Sequence, residues 1–134
     1  DAERGALDRV LTRLATEPGI APEDVVVLSR HRLERSVAGA LVDSPLYRIR
    51  SFEQTASPRG RIPTFRFATA AAFKGMESKI IVLCDVDRID SDEDRSLLYV
   101  SMSRARSLLT VLLHDHAKAV VLESFRVRMA DLWR

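Results

Sequence analysis

Two short motifs carry the most specifically spaced of the chemically capable residues in this 134-residue chain. The first is Thr69-Ala70-Ala71-Ala72-Phe73-Lys74-Gly75-Met76-Glu77, and the second is Leu97-Leu98-Tyr99-Val100-Ser101-Met102-Ser103-Arg104-Ala105-Arg106. They offer a hydroxyl, a point positive charge beside a glycine, a carboxylate and two arginines. Taken singly, each is ordinary: Arg104 and Glu77 read as solvated charges, Lys74-Gly75 as a helix end with a glycine cap, Tyr99 and Met102 as core contacts. Only their joint order and spacing is specific.

Other chemistries are excluded by what the sequence lacks. There is no G-x-x-x-x-G-K-[ST] loop and no G-x-G-x-x-G, so the chain alone cannot cradle a nucleotide's phosphates. There is no G-x-S-x-G elbow, and the single cysteine, Cys84, lies inside the apolar run Ile80-Ile81-Val82-Leu83-Cys84, where a small buried hydrophobe is expected. The aspartates between Asp85 and Asp94 lack the glycine and glutamate of a calcium loop: counted from Asp90, those positions hold Arg95 and Ser101. His114-Asp115-His116 reads as a polar strand end, so no metal is expected from this chain.

The length suits one domain, residues 1–134, with a core that needs no staples. A lone cysteine, no long apolar stretch and no secretory leader predict a soluble, cytoplasmic setting. The formal charge of +2 supports nucleic-acid binding only weakly. The first residue is Asp1, as in a piece of a longer protein.

The elements that must position the motifs follow from periodicity. Ala6, Leu7, Val10, Leu11 and Leu14 predict an amphipathic helix over 3–17, stopped by Pro18-Gly19. Val25–Leu28 and Ile80–Cys84 are unbroken apolar runs, as in strands of a parallel sheet covered on both faces. Leu33, Val37, Ala40 and Leu41 predict a second helix. Leu46–Phe52 predicts a less buried strand, with Tyr47 and Ile49 opposite Leu46, Arg48, Arg50 and Phe52. Residues 53–63 read as a surface loop, and Phe65 and Phe67 as a short strand leading into Thr69. The segment from Asp85 to Asp94 reads as an acidic loop, with Ser91 and Asp94 opening a helix that carries the second motif through Arg106. Leu108–Leu113 predicts another buried strand, and Leu122, Phe125, Met129 and Leu132 a closing helix. This alternation indicates an α/β domain, a mostly parallel sheet flanked by helices in three layers.

In this setting the two motifs resemble the fifth and sixth signature motifs of the UvrD-like, superfamily 1 DNA helicases, approximately T-x-H-x-x-K-G-L-E and L-L-Y-V-A-[LM]-[TS]-R-A. Met76, Ser101 and Ala71 stand where the family has leucine, alanine and histidine. A looser likeness of Pro22–Arg30 to the strand opening the latter part of the family's second RecA-like domain extends the match to Leu113. Too few residues lie between Arg30 and Phe65 for the large inserted subdomain, so the resemblance is to the compact form.

The resemblance implies a second RecA-like domain and, residue by residue, a set of roles. Arg104 would be the arginine finger toward the γ-phosphate, Glu77 would accept a hydrogen bond from the nucleotide ribose, and Gly75 would allow close backbone approach. Thr69 and Lys74 would contact the phosphates of single-stranded or partly duplex DNA. ATP and Mg2+ would be held mainly by an N-terminal RecA-like domain of the same protein. Two other readings stand beside this one. One is a degenerate helicase-like domain that only binds nucleic acid or protein. The other is a signalling receiver with Asp85 as phosphoacceptor, which should show an acidic pair where Ser29-Arg30 stands.

Overall fold

The computed structural model describes residues 2–52, 62–86 and 91–113, together with the backbone alone at Val100 and Met102. Five strands form one sheet: β1 (Val25–Ser29), β2 (Arg48–Ser51), β3 (Thr64–Thr69), β4 (Ser78–Val86) and β5 (Ala105–Leu113). Their order across the sheet is β2-β3-β1-β4-β5, and every pairing is parallel. The most apolar run thus lies in the middle, and all five residues of β1 are buried.

Period-2 alternation splits the core between the two faces. On one face Val25, Val27, Ile80, Val82 and Phe65 meet Leu7, Leu11 and Leu14 of helix α1 (Ala2–Thr16), together with Tyr47 and Ile49. On the other, Val26, Leu28, Ile81 and Leu83 meet Phe73, and Leu98 of helix α2 (Asp92–Arg104). This is the three-layer α/β fold with a parallel sheet that the alternation of strands and helices predicts. No helix among the described residues is long and apolar enough to cross a membrane.

Several local expectations are corrected. The helix predicted over Leu33–Leu41 is two short 3-10 turns, Leu33–Arg35 and Val37–Leu41. Ser36 between them is extended, and its hydroxyl accepts the Ala38 N–H at 3.1 Å, which replaces a helical bond with a side-chain cap. Asp85 belongs to β4 and not to a loop, and Asp92 already begins α2. The helix of the second motif stops at Arg104, because Ala105 turns extended and pairs with Ser78 at the start of β5. Arg106 therefore lies on β5, which ends the sheet and is not the buried strand expected, Leu108 being exposed; Tyr99, expected in the core, is exposed as well. Ser91 does cap α2, accepting the Asp94 N–H at 3.0 Å.

Two further agreements concern burial. Tyr47 and Ile49 are buried and Cys84 is 1 % exposed. The Tyr47 hydroxyl, pushed up in pKa by burial and then by Asp8, donates to the Asp8 carboxylate at 2.6 Å and ties the edge of the sheet to α1. The predicted closing helix, His114-Asp115-His116 and most of the loop over 53–63 lie outside the described residues.

Gly39 sits where a Cβ would collide with the Leu33 carbonyl oxygen. Gly39→Ala should therefore lower unfolding free energy by about 1–3 kcal/mol, read from the urea midpoint, although alanine ordinarily favours helical turns.

Candidate functional site

The eight residues between β3 and β4 carry the first motif, and they have an unusual task. They leave Thr69 at the carboxyl end of β3, cross the buried strand β1 and enter Ser78 at the amino end of β4. Register pairs Thr69 with Ser29, and Leu28 with Leu83, so Thr69 stands level with Cys84, about 20 Å along the sheet from Ser78. A parallel crossover usually takes a dozen or more residues. This one begins as a turn in which the Thr69 carbonyl accepts the Phe73 N–H at 3.0 Å, and the Thr69 hydroxyl the Ala72 N–H at 3.1 Å. Gly75, at φ +82°, ends the turn, where a side chain would be strained. The Thr69 hydroxyl keeps its own proton to donate, and Ala71, Lys74, Gly75, Met76 and Glu77 are all exposed.

The second motif reaches the same edge of the sheet from the other side. Ser78 and Ala105 are register partners on β4 and β5, so Glu77 and Arg104, each one residue earlier, stand side by side at two neighbouring strand entrances. Adjacent strands lie about 4.8 Å apart, so the two residues lead into neighbouring strands at one edge of the sheet. Arg104 is half-buried, and its Nε is buried without a hydrogen-bond partner among the described residues. Arg106, by contrast, is exposed on β5. The five sequence-predicted residues thus fall into two places: Glu77 and Arg104 at the amino edge, with Gly75 two residues before Glu77, and Thr69 at the carboxyl edge. Lys74 lies on the turn between them.

The carboxyl edge holds a second cluster that sequence reasoning did not find. Asp85 adopts φ +62° at the end of β4, a conformation uncommon for a residue with a side chain. Its carboxylate accepts hydrogen bonds from the Ser29 hydroxyl, from the Ser36 hydroxyl at 2.5 Å and from the Val37 N–H at 3.0 Å, while its own N–H donates to Glu3 at 2.6 Å. Burial would raise its pKa, but the donors outweigh this and hold the carboxyl below its usual range. Burial, then the charge on Asp85, pushes the neighbouring Cys84 thiol up, which leaves it neutral and unreactive. Asp85 is therefore a saturated structural acceptor joining β1, β4, α1 and the Val37 turn. The only signal for it in the sequence was Ser29 following an apolar run, which is too common to interpret.

Beside this cluster Arg30 pairs with Asp94, linking the end of β1 to the first turn of α2. His31, Arg32 and Arg35 are exposed just beyond β1, at the same edge as Thr69. Among the described residues no three His, Cys, Asp or Glu side chains are grouped to hold a metal ion.

No protein-family profile and no curated protein matches this chain. Among solved structures it is similar to the crystal structure of the C-terminal part of the Fun30 ATPase domain, at 14 % identity and a TM-score of 0.49. The overlap covers 83 % of this chain and 41 % of that one, so the chain spans well under half of the solved neighbour. At that identity the likeness says nothing about chemistry.

Asp85→Ala should cost about 2–4 kcal/mol, since it leaves two hydroxyls and an N–H unpaired. The carboxyl titrates lower in the folded than in the unfolded chain, so its contribution is present above about pH 4 and is lost as the pH falls through the folded value. Urea midpoints between pH 3 and pH 6 should accordingly fall more steeply for the unsubstituted chain than for Asp85→Asn.

Proposed function

We propose that this chain is the second RecA-like motor domain of a UvrD-like superfamily 1 ATP-dependent DNA helicase or translocase. The observation that carries the reading is the side-by-side placement of Glu77 and Arg104 ahead of the register partners Ser78 and Ala105. Two residues 27 positions apart in sequence precede neighbouring strands at one sheet edge, one an acceptor and the other a cation whose Nε is buried without a hydrogen-bond partner among the described residues. That pair fits a nucleotide: Glu77 toward a ribose hydroxyl, Arg104 toward a terminal phosphate, with Gly75 giving room for the approach.

ATP, with Mg2+, would lie in a cleft shared with an N-terminal RecA-like domain that supplies the phosphate loop. The nucleotide brings the bond to be cleaved, and this chain's contribution is electrostatic. An arginine placed where charge develops on a transferring phosphoryl group is worth about 10³ to 10⁵ in rate, about 4–7 kcal/mol. The helix that ends at Arg104 and the strand that begins at Ala105 hold its backbone at the junction of two regular elements, so little reorganisation is needed.

The carboxyl edge supplies the strand contact in the same reading. The Thr69 hydroxyl, Lys74 and the exposed His31, Arg32 and Arg35 would grip phosphates without reading bases. The crossover joins this edge to the nucleotide edge, so a change in the gap between the two motor domains would alter the grip on the strand. That coupling is what converts hydrolysis into movement.

The chain alone should not hydrolyse ATP, and turnover by contaminant-free material would rule out a shared site. In a protein that also carries the phosphate-loop domain, Arg104→Ala should cut ATP turnover about 10³-fold or more with nucleotide affinity nearer normal. Turnover close to that of the unsubstituted protein would remove the finger role. Lys74→Ala should weaken binding to single-stranded oligonucleotides of any sequence and reduce the salt slope by about one unit.

A further inference from the structure

Phe73 is the one buried side chain among residues 70–77, at 2 % exposure, whereas the residues on either side of it are exposed. A crossover this short has no other apolar anchor, so where its turn sits on the sheet is set by what Phe73 touches. Its ring stacks nearly parallel to Phe52, which follows β2, at 6.0 Å between centroids and 7° between planes. Phe52 is in turn covered by the Arg66 guanidinium, 4.8 Å from the ring centroid. Arg66 stands in the middle of β3 and donates from Nη2 to the Glu23 carbonyl, ahead of β1, at 2.6 Å. One continuous line of contacts therefore runs from the lead-in to β1, through β3 and the end of β2, to the turn.

Arg66 is half-buried in the interior of a parallel strand, and its Nε is buried without a hydrogen-bond partner among the described residues. The Phe52 ring that it covers gives its guanidinium a second contact there. We infer that Phe52 and Arg66 are positioning residues, holding Phe73 and, through it, the turn that presents Lys74, Gly75 and Glu77. What those three residues then bind rests on the function proposed above.

The test uses Phe52→Leu and Arg66→Gln in the full chain, both milder than truncating Phe73, with two readouts. The first is amide hydrogen exchange. The Lys74 and Met76 N–H groups, bonded to the Ala71 and Phe73 carbonyls, should exchange about tenfold faster, while the amides of β1 and β4 are unchanged. Unchanged exchange in the turn, or a uniform acceleration across the sheet, would overturn the inference. The second readout is the affinity for a single-stranded oligonucleotide with and without Lys74→Ala. Either clamp substitution should shrink the penalty of Lys74→Ala, a coupling that a general loss of stability would not produce. A full Lys74→Ala penalty in both clamp variants would count against positioning. If the unsubstituted chain binds no strand at all, the assignment of Lys74 fails, and faster exchange confined to the turn would still uphold the clamp.

Discussion

Because β1 occupies the middle of the sheet, the link from β3 to β4 has to pass over it, and it does so in eight residues. Nine steps between Cα atoms, several of them coiled into a turn, must cover about 20 Å of descent. Little slack remains. The turn is stitched by the Thr69 carbonyl and hydroxyl, released by the positive φ of Gly75 and pinned by Phe73. Each exposed residue of the motif owes its place to that tether.

The same parallel register creates a division of labour between the two edges. At the carboxyl edge Asp85 collects donors from β1 and from the turns after it, and Arg30 reaches Asp94 at the start of α2. That edge is knotted around the Asp85 carboxylate, with His31, Arg32 and Arg35 exposed beside it. At the amino edge Glu77 is exposed and Arg104 Nε has no hydrogen-bond partner among the described residues. Satisfied polar clusters hold a fold together, whereas unsatisfied ones are available to a ligand.

Much of the architecture was legible beforehand. Val25–Leu28 and Ile80–Cys84 read as strands buried on both faces because no alternation interrupts them, and alternation separated Tyr47 and Ile49 from Arg48 and Arg50, a split that the structure turns into an inner and an outer face. The helix predicted over Leu33–Leu41 did not form as such, since Ser36 finds better partners in Ala38 and Asp85 than a helix would offer it. The end of α2 was set two residues too late, because pairing of Ala105 with Ser78 is a long-range event that local propensity does not register.

Sequence by itself determined the class of fold, the two motifs, and which residues of Thr69–Glu77 and Leu97–Arg106 have chemistry to offer, because hydrophobic period and residue type are local properties. Tertiary structure alone decided which of those residues meet. The pairing of β4 with β5 brought Glu77 beside Arg104, left Thr69 at the opposite edge, moved Arg106 onto a strand and turned Asp85 from an acidic-loop residue into a hub of hydrogen bonds. Register is a relation between distant segments, so it is settled only when the sheet closes its hydrogen bonds and both of its faces are covered.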